Sequence, residues 1–196
     1  KLKENVSAKD LALWIIGMIG SDGANYMSVE FHGPGVNNLT ISDRMTIANL
    51  ASEMGAKNAV FPADKVLEDF LGVKSSGVWA DNEAKYARAI EINMEDIFPV
   101  VAAPHNVDNV KSVHDAAGTI VHEGLIGTCT NGRIEDLRIA GKILKGRKIK
   151  DGFQLNVIPA SRKIYLEAIK EGIISDIVEA GANVLTPSCG PCLGTG

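Results

Sequence analysis

The sequence lacks a long apolar run. Its longest, Leu11–Ile19, is followed at once by Gly20-Ser21-Asp22. A bilayer needs about 20 apolar residues, so no membrane span is expected. It also lacks an excess of positive charge. The net charge is -4 over 196 residues, which gives nucleic-acid binding no electrostatic support. No secretory pattern opens the chain, since Lys1-Leu2-Lys3-Glu4-Asn5 is polar. There is no internal repeat at a fixed period and no low-complexity segment. Cysteine is scarce: the chain has 3, an odd number that does not suit a disulfide framework. A reducing, cytoplasmic setting is therefore expected. What remains is ordinary: 45% hydrophobic and 22% charged residues describe a globular chain able to bury a core, as one domain or two small ones.

The few cysteines are placed in a telling way. They occur in Gly127-Thr128-Cys129-Thr130-Asn131-Gly132-Arg133 and in Pro187-Ser188-Cys189-Gly190-Pro191-Cys192. Each group follows a short apolar run and sits among Gly, Pro, Ser, Thr and Asn. Buried structural thiols would lie inside the apolar runs instead. One plus two thiols form a donor set one short of a closed structural site. Zinc or a 4Fe–4S cluster held by three cysteines keeps a coordination position open, and open positions belong to catalysis.

The rest reads as alternating helix and strand. Ser7 with Asp10 makes a capping-box start, and Leu11, Trp14, Ile15 and Met18 follow helical spacing to Gly20. Tyr26–His32 alternates as a half-buried strand, with Met27, Val29 and Phe31 on one face. A helix is expected over Ser42–Met54, a strand over Asn58–Phe61, and a helix capped by Asp64. Lys85–Ile92 and Ile97–Ala102 read as strands joined by a turn at Asn93–Asp96. Pro104–Glu123 is polar, lacks a strong period and reads as a crossover. Then come strand Gly124–Thr128, helix Ile134–Leu144, strand Gln154–Pro159, helix Arg162–Lys170, a short helix capped by Ser175, and strand Asn183–Thr186. This alternation predicts a parallel sheet. Cys129 and Cys189 then follow two strands whose carboxyl ends share one edge, where α/β proteins place ligands. The organisation expected is residues 1–103, a crossover at 104–123, and residues 124–196.

Asn49 and Glu53 lie four apart on the second predicted helix, opposite the apolar face of Ile47, Leu50, Ala51 and Met54. Taken alone, such a pair is a solvated face. Asn131 suits a helix N-cap. His32, His105, His114 and His122 have no metal-ligand spacing with one another and read as surface or structural histidines.

Several stretches resemble the aconitase superfamily, in its isopropylmalate dehydratase and homoaconitase branch. The strongest are Gly127–Arg138 (GTCTNGRIEDLR) and Thr186–Gly194 (TPSCGPCLG). Others are Ser21–Tyr26, Glu30–Val36 (EFHGPGV), Ser42–Lys57 (SDRMTIANLASEMGAK), Pro104–Lys111 (PHNVDNVK) and Val157–Arg162. The resemblance runs in order along nearly the whole chain. It implies an aconitase-like α/β core of mostly parallel sheets flanked by helices, in two small units. It implies a 4Fe–4S cluster held by Cys129, Cys189 and Cys192, with one iron open. It implies a hydro-lyase that isomerises a small 2-hydroxy di- or tricarboxylate by dehydration and rehydration, in amino-acid biosynthesis. It places Asn49 and Glu53 beside the cluster as catalytic residues, against the solvated reading. Asn131 and Arg133 become cofactor-binding residues around the cluster.

The family's upstream Asp-Ser-His segment, its carboxylate-clamping arginines and its serine-bearing swivelling domain have no counterpart in these residues. Both ends look cut, and the chain reads as the middle of a large subunit. A small subunit or swivelling domain is the expected partner. Two other classes remain. Cys189-Gly190-Pro191-Cys192 also matches a thioredoxin-like dithiol, but no Trp precedes it and only four residues follow. A non-catalytic zinc module would need a histidine as a fourth ligand.

Overall fold

The computed structural model describes residues 1–194. The chain divides into two compact units, the first Lys1–Ala117 and the second opening at Gly118. Both mix helices with small sheets, as the α/β reading requires.

The first unit is built around α1 (Ala8–Ile19). Asp10 fixes its start: one carboxylate oxygen accepts the Ser7 N–H at 2.7 Å, and the Ser7 hydroxyl accepts the Asp10 N–H. The other oxygen accepts the Val100 N–H at 2.9 Å, which ties the helix to β3 (Val100–Ala102). α1 packs against both α2 (Ile41–Leu50) and the antiparallel pair of β3 with β4 (Val110–Ser112). It therefore buries a wider arc than a single stripe: Leu11, Ala12, Leu13, Ile15 and Ile16 are all buried. Trp14 packs edge-on against Phe98, and Met18 is left exposed.

β1 (Ser28–Glu30) and β2 (Asn58–Val60) pair in parallel, with α2 between them in sequence. α2 is capped by Thr40 and Asp43 in a second capping box. Its continuation, Ala51–Met54, is a 3₁₀ turn that ends at Gly55 in the left-handed region. Ile16, Ile47, Met54 and Ile97 are fully buried where these elements meet. Each contributes roughly 1.5–3 kcal/mol relative to remaining in water.

α3 (Lys65–Leu71) has the predicted Asp64 cap, yet it buries none of its residues, and Phe70 and Leu71 are exposed. The predicted strand Lys85–Ile92 does not form. Its residues are exposed except Ile92, which packs partly buried against the core, and no neighbouring strand offers a ladder; alternation cannot make a strand without a partner. Tyr86 instead donates its hydroxyl hydrogen to Glu30 at 2.6 Å, beside His32. β4 and α4 (Val113–Ala116) fall within 104–123, where the sequence shows no strong period.

The charged anchor of this unit is Arg44, which is 4% exposed. Its Nη1 and Nη2 donate to the two carboxylate oxygens of Asp64 at 2.8 and 2.6 Å. Its remaining hydrogens reach the carbonyls of Leu39, Val36 and Pro62. A buried guanidinium is tolerable only with such complete pairing. Asp64 also accepts the Leu67 N–H that starts α3. The Arg44 hydrogen bonds hold the Asp64 carboxyl below its ordinary value of 3.8.

The second unit is one parallel sheet of order β5-β6-β7, formed by β5 (Glu123–Gly127), β6 (Gln154–Ile158) and β7 (Asn183–Val184). α6 (Ile134–Leu144), α7 (Arg162–Lys170) and α8 (Ile173–Glu179) join it in a core of Leu137, Leu155, Val157, Ala168, Ile173 and Ile177. Ser175 lies inside α8 and does not cap it. Gly172, in the left-handed region, stands at that helix's N-cap because it separates α7 from α8 directly. Buried Asn156 bridges the strands, donating to Glu123 and accepting from Asn183.

At the carboxyl end of this sheet β5 turns sharply. Gly127 has φ 118°, and an added Cβ would lie 2.0 Å from the Ile158 carbonyl oxygen. Gly132 approaches the same oxygen from the far end of the turn, where a Cβ would lie 2.5 Å away. The Ala160 N–H then donates to the Gly132 carbonyl at 2.8 Å, closing the turn onto β6.

Asp64→Asn leaves a buried guanidinium without its countercharge, and we expect a loss of about 3 kcal/mol in urea unfolding at neutral pH. Because the folded Asp64 carboxyl is depressed, its contribution is complete above its unfolded value of 3.8. It is lost as pH falls through the folded value. The gap between wild type and Asp64→Asn must therefore close in acid; a gap unchanged down to the acid limit excludes the pair as its source. For Gly127→Ala, both the backbone angle and the Ile158 carbonyl oppose the methyl group. Urea unfolding should show a loss of at least about 2 kcal/mol, and a stability equal to wild type would show that the turn relaxes freely.

Candidate metal centre

All three thiols lie in the second unit, on segments that leave the carboxyl ends of parallel strands. Cys129 is in α5 (Thr128–Asn131), the single turn that follows β5 directly. Thr128, before it, is buried with φ 65°, a left-handed value that costs a β-branched residue energy. Cys189 and Cys192 flank the start of a 3₁₀ turn, Gly190–Leu193, reached beyond β7, and the Cys192 N–H donates to the Cys189 carbonyl at 2.9 Å. β5 and β7 run in the same direction on either side of β6, so their carboxyl ends share an edge. All three thiols are exposed and none is in a disulfide. Among the described residues no three His, Cys, Asp or Glu side chains form a group that could hold a metal ion.

Arg133 hydrogen-bonds the backbone at Cys129, and Asn131 lies two residues further along the same turn. The Arg133 guanidinium donates from Nη1 to the carbonyls of Cys129 and Thr130, both at 2.8 Å. Asn131 is not the N-cap expected of it: it ends α5, and Arg133 holds the N-cap position of α6. The Asn131 amide donates to Asp136 at 3.2 Å, and Asp136 also accepts the Arg133 N–H at 3.0 Å. Asn131 Oδ1 is buried without a hydrogen-bond partner among the described residues. Burial pushes the Asp136 carboxyl above its ordinary value, outweighing the lowering by Asn131 and the Arg133 N–H. Asp136 escaped the sequence reading, although its place three residues beyond Arg133 is capping-box spacing.

Asn49 and Glu53 belong to the first unit. Both are exposed, while Ile47, Ala51 and Met54 are buried, so the predicted opposition of faces is present. The helix between them is not uniform: Asn49 lies in the last turn of α2 and Glu53 in the tighter 3₁₀ turn that follows. The Ser52 hydroxyl donates to the Asn49 carbonyl across that junction. His32, His105, His114 and His122 are all exposed.

The donor set fits an iron–sulfur cluster in kind, since thiolate sulfur is the protein ligand such clusters take. Every thiol lies beyond the carboxyl end of a strand of one sheet, but among the described residues the three are not gathered into one group. Cys189 and Cys192 stand at the N-cap and the third position of a 3₁₀ turn.

Matches to the model of the aconitase family (aconitate hydratase) cover residues 1–123 and 111–196. The large subunit of 3-isopropylmalate dehydratase from Clostridium beijerinckii is 49% identical over 193 residues, 96% of this chain and 46% of its own length. The same-named subunit of Lachnoclostridium phytofermentans is 50% identical over 196 residues, covering 98% and 47%. The 3-isopropylmalate dehydratase large subunit 2 of Archaeoglobus fulgidus is 48% identical over 198 residues, covering 98% and 48%. The chain thus spans about half the length of the curated relatives it matches. A matching model over its whole length and relatives of this identity establish that the chain belongs to the aconitase family, which implies an iron–sulfur cluster.

Proposed function

We propose that this chain is part of the large subunit of an iron–sulfur hydro-lyase that isomerises a 2-hydroxy dicarboxylate, 3-isopropylmalate being the best-supported substrate. The observation that carries this reading is identity of 49, 50 and 48% to large subunits bearing that name, across nearly all of the chain. Cys129, Cys189 and Cys192 are the ligands we assign to a 4Fe–4S cluster. Bound by three thiolates, such a cluster supplies a Lewis-acidic iron that weakens a C–O bond of the hydroxy acid.

The chain's own residues have separate tasks. Arg133 holds the carbonyls of Cys129 and of Thr130 after it, so that the thiol projects from a fixed turn. Glu53 offers an exposed carboxylate that accepts a hydrogen bond from the leaving hydroxyl, a bond that strengthens as the C–O bond breaks. Asn49, exposed on the same face, supplies an amide for the substrate's carboxylate. The base that takes the C–H proton and the carboxylate clamp we assign to the rest of the large subunit and to a small subunit or swivelling domain. A cytoplasmic setting, where thiols stay reduced, suits three exposed cysteines. Among the described residues no helix is long and apolar enough to cross a membrane.

The full-length protein, reconstituted anaerobically with iron and sulfide, should carry one 4Fe–4S cluster by metal analysis and visible absorbance. Cys129→Ser, Cys189→Ser and Cys192→Ser should each abolish it. Normal cluster content in any one of these removes that residue from the centre. With the cluster intact, Glu53→Gln should lower kcat for 3-isopropylmalate about 100-fold or more in the complete enzyme, the scale of a positioned acid–base group. Stability should change by under about 0.5 kcal/mol, because the residue is exposed. Turnover within a few-fold of wild type would return Glu53 to an ordinary solvated position.

A further inference from the structure

Three helices of this chain, α1, α2 and α6, use an Asp at the third position to accept the N-cap N–H, and α6 uses it differently. At α1 and α2 the Asp carboxylate meets a hydroxyl: Ser7 Oγ donates to Asp10 and Thr40 Oγ1 to Asp43, both at 2.7 Å. In both boxes the carboxylate oxygen that takes the N-cap N–H also takes the N-cap hydroxyl, and at α1 the second Asp10 oxygen accepts the Val100 N–H. At α6 the N-cap residue is Arg133, which has no acceptor to offer. Asp136 still takes the N-cap N–H with Oδ2, but its Oδ1 reaches back five residues to the Asn131 amide. The pair is partly buried, where an unsatisfied carboxylate is costly. Asn131 is thereby fixed with its nitrogen toward Asp136, because the opposite orientation would set its oxygen against the carboxylate. Arg133, held at its backbone by Asp136, grips the Cys129 and Thr130 carbonyls with its guanidinium.

We propose that Asp136 is a positioning residue for the cluster: its carboxylate locks Asn131 and Arg133 into one turn and so sets the direction of the Cys129 thiol. This rests on the reading of Cys129 as a cluster ligand. Asp136 touches neither substrate nor sulfur and acts through the two residues it holds. In metal sites the loss of such supporting hydrogen bonds typically costs 10–100-fold in metal retention.

The test uses the full-length protein reconstituted anaerobically. Two readouts are taken: the electron paramagnetic resonance spectrum of the reduced cluster, and the rate at which its visible absorbance bleaches in air. Asp136→Asn should bleach about tenfold faster and show altered g-values. The double variant Asn131→Asp with Asp136→Asn reverses the hydrogen bond while keeping an acceptor for the Arg133 N–H, and should recover most of both. Ala168→Gly, which loosens α7 in the same unit, controls for stability alone; it should lower the melting temperature and leave spectrum and bleaching unchanged. The proposal is overturned if Cys129→Ser loses the cluster while Asp136→Asn keeps the wild-type spectrum and rate. It is equally overturned if Ala168→Gly reproduces the Asp136→Asn effects. A full cluster in Cys129→Ser instead overturns the ligand assignment, and this inference with it. Should Asp136→Asn not fold, Asn131→Ala leaves the α6 cap in place and decides the matter: faster bleaching supports the lock, and a wild-type rate rejects it.

Discussion

The carbonyl of Ile158, at the end of the central strand of the second sheet, is the point on which the cysteine-bearing turn depends. Gly127 and Gly132 both approach it more closely than any side chain permits. The turn between them is therefore drawn tight over the end of β6 and closed by the Ala160 N–H. Six residues fastened at both ends have little freedom, and Thr128 is held in the left-handed region as a result. The position of Cys129 is thus decided by backbone contacts with a fully buried strand end, not by packing of its own side chain, which is exposed. A ligand fixed this way loses little entropy when a metal group binds.

The other two thiols are arranged on a different principle. The backbone hydrogen bonds that shape their turn run within it, from Cys192 to Cys189 and from Gly194 to Pro191. Their spacing relative to each other is set by the turn. Under the proposed ligand assignment, Cys129 is fixed by the sheet while Cys189 and Cys192 form a local pair spaced by their own turn.

Much of this was legible in the sequence, for identifiable reasons. α6 and α7 match their predicted bounds because the helical period runs unbroken along each segment, although the cap of α6 is Arg133 and not Asn131. The three parallel strands could be placed because each is a short apolar run bounded by turn residues. The motifs around the cysteines carried the family itself. What failed depended on partners distant in sequence. Lys85–Ile92 alternates correctly but finds no strand to pair with. The arc that α1 buries is set by two neighbours at once, so a one-stripe reading left Met18 on the wrong side. Asp136 went unseen because its purpose lies behind it in the chain, in Asn131 and Arg133, where a turn returns on itself. The thiols could be identified as a donor set, but how they gather is a property of loops and cannot be read from periodicity.

Two carboxylates show how differently the two units use buried charge. Asp64 faces a guanidinium fork, and the pairing holds its carboxyl below the usual value. That arrangement stabilises the fold at neutral pH. Asp136 receives only a backbone N–H and an amide, and burial pushes its carboxyl up. Keeping it ionised works against stability at neutral pH, because the folded environment favours the proton more than water does. At α1 and α2 the N3 carboxylate is paired with an N-cap hydroxyl and stays near solvent; at α6 Arg133 offers no hydroxyl, and the carboxylate is turned toward Asn131 instead. A desolvated acid that reaches back to Asn131 ties the start of α6 to the turn that carries Cys129. Strained backbone at Thr128 and a buried lone pair on Asn131 fall within the same few residues. Concentrated local cost of this kind, beside otherwise well-capped helices, is what a protein shows where geometry matters more than stability.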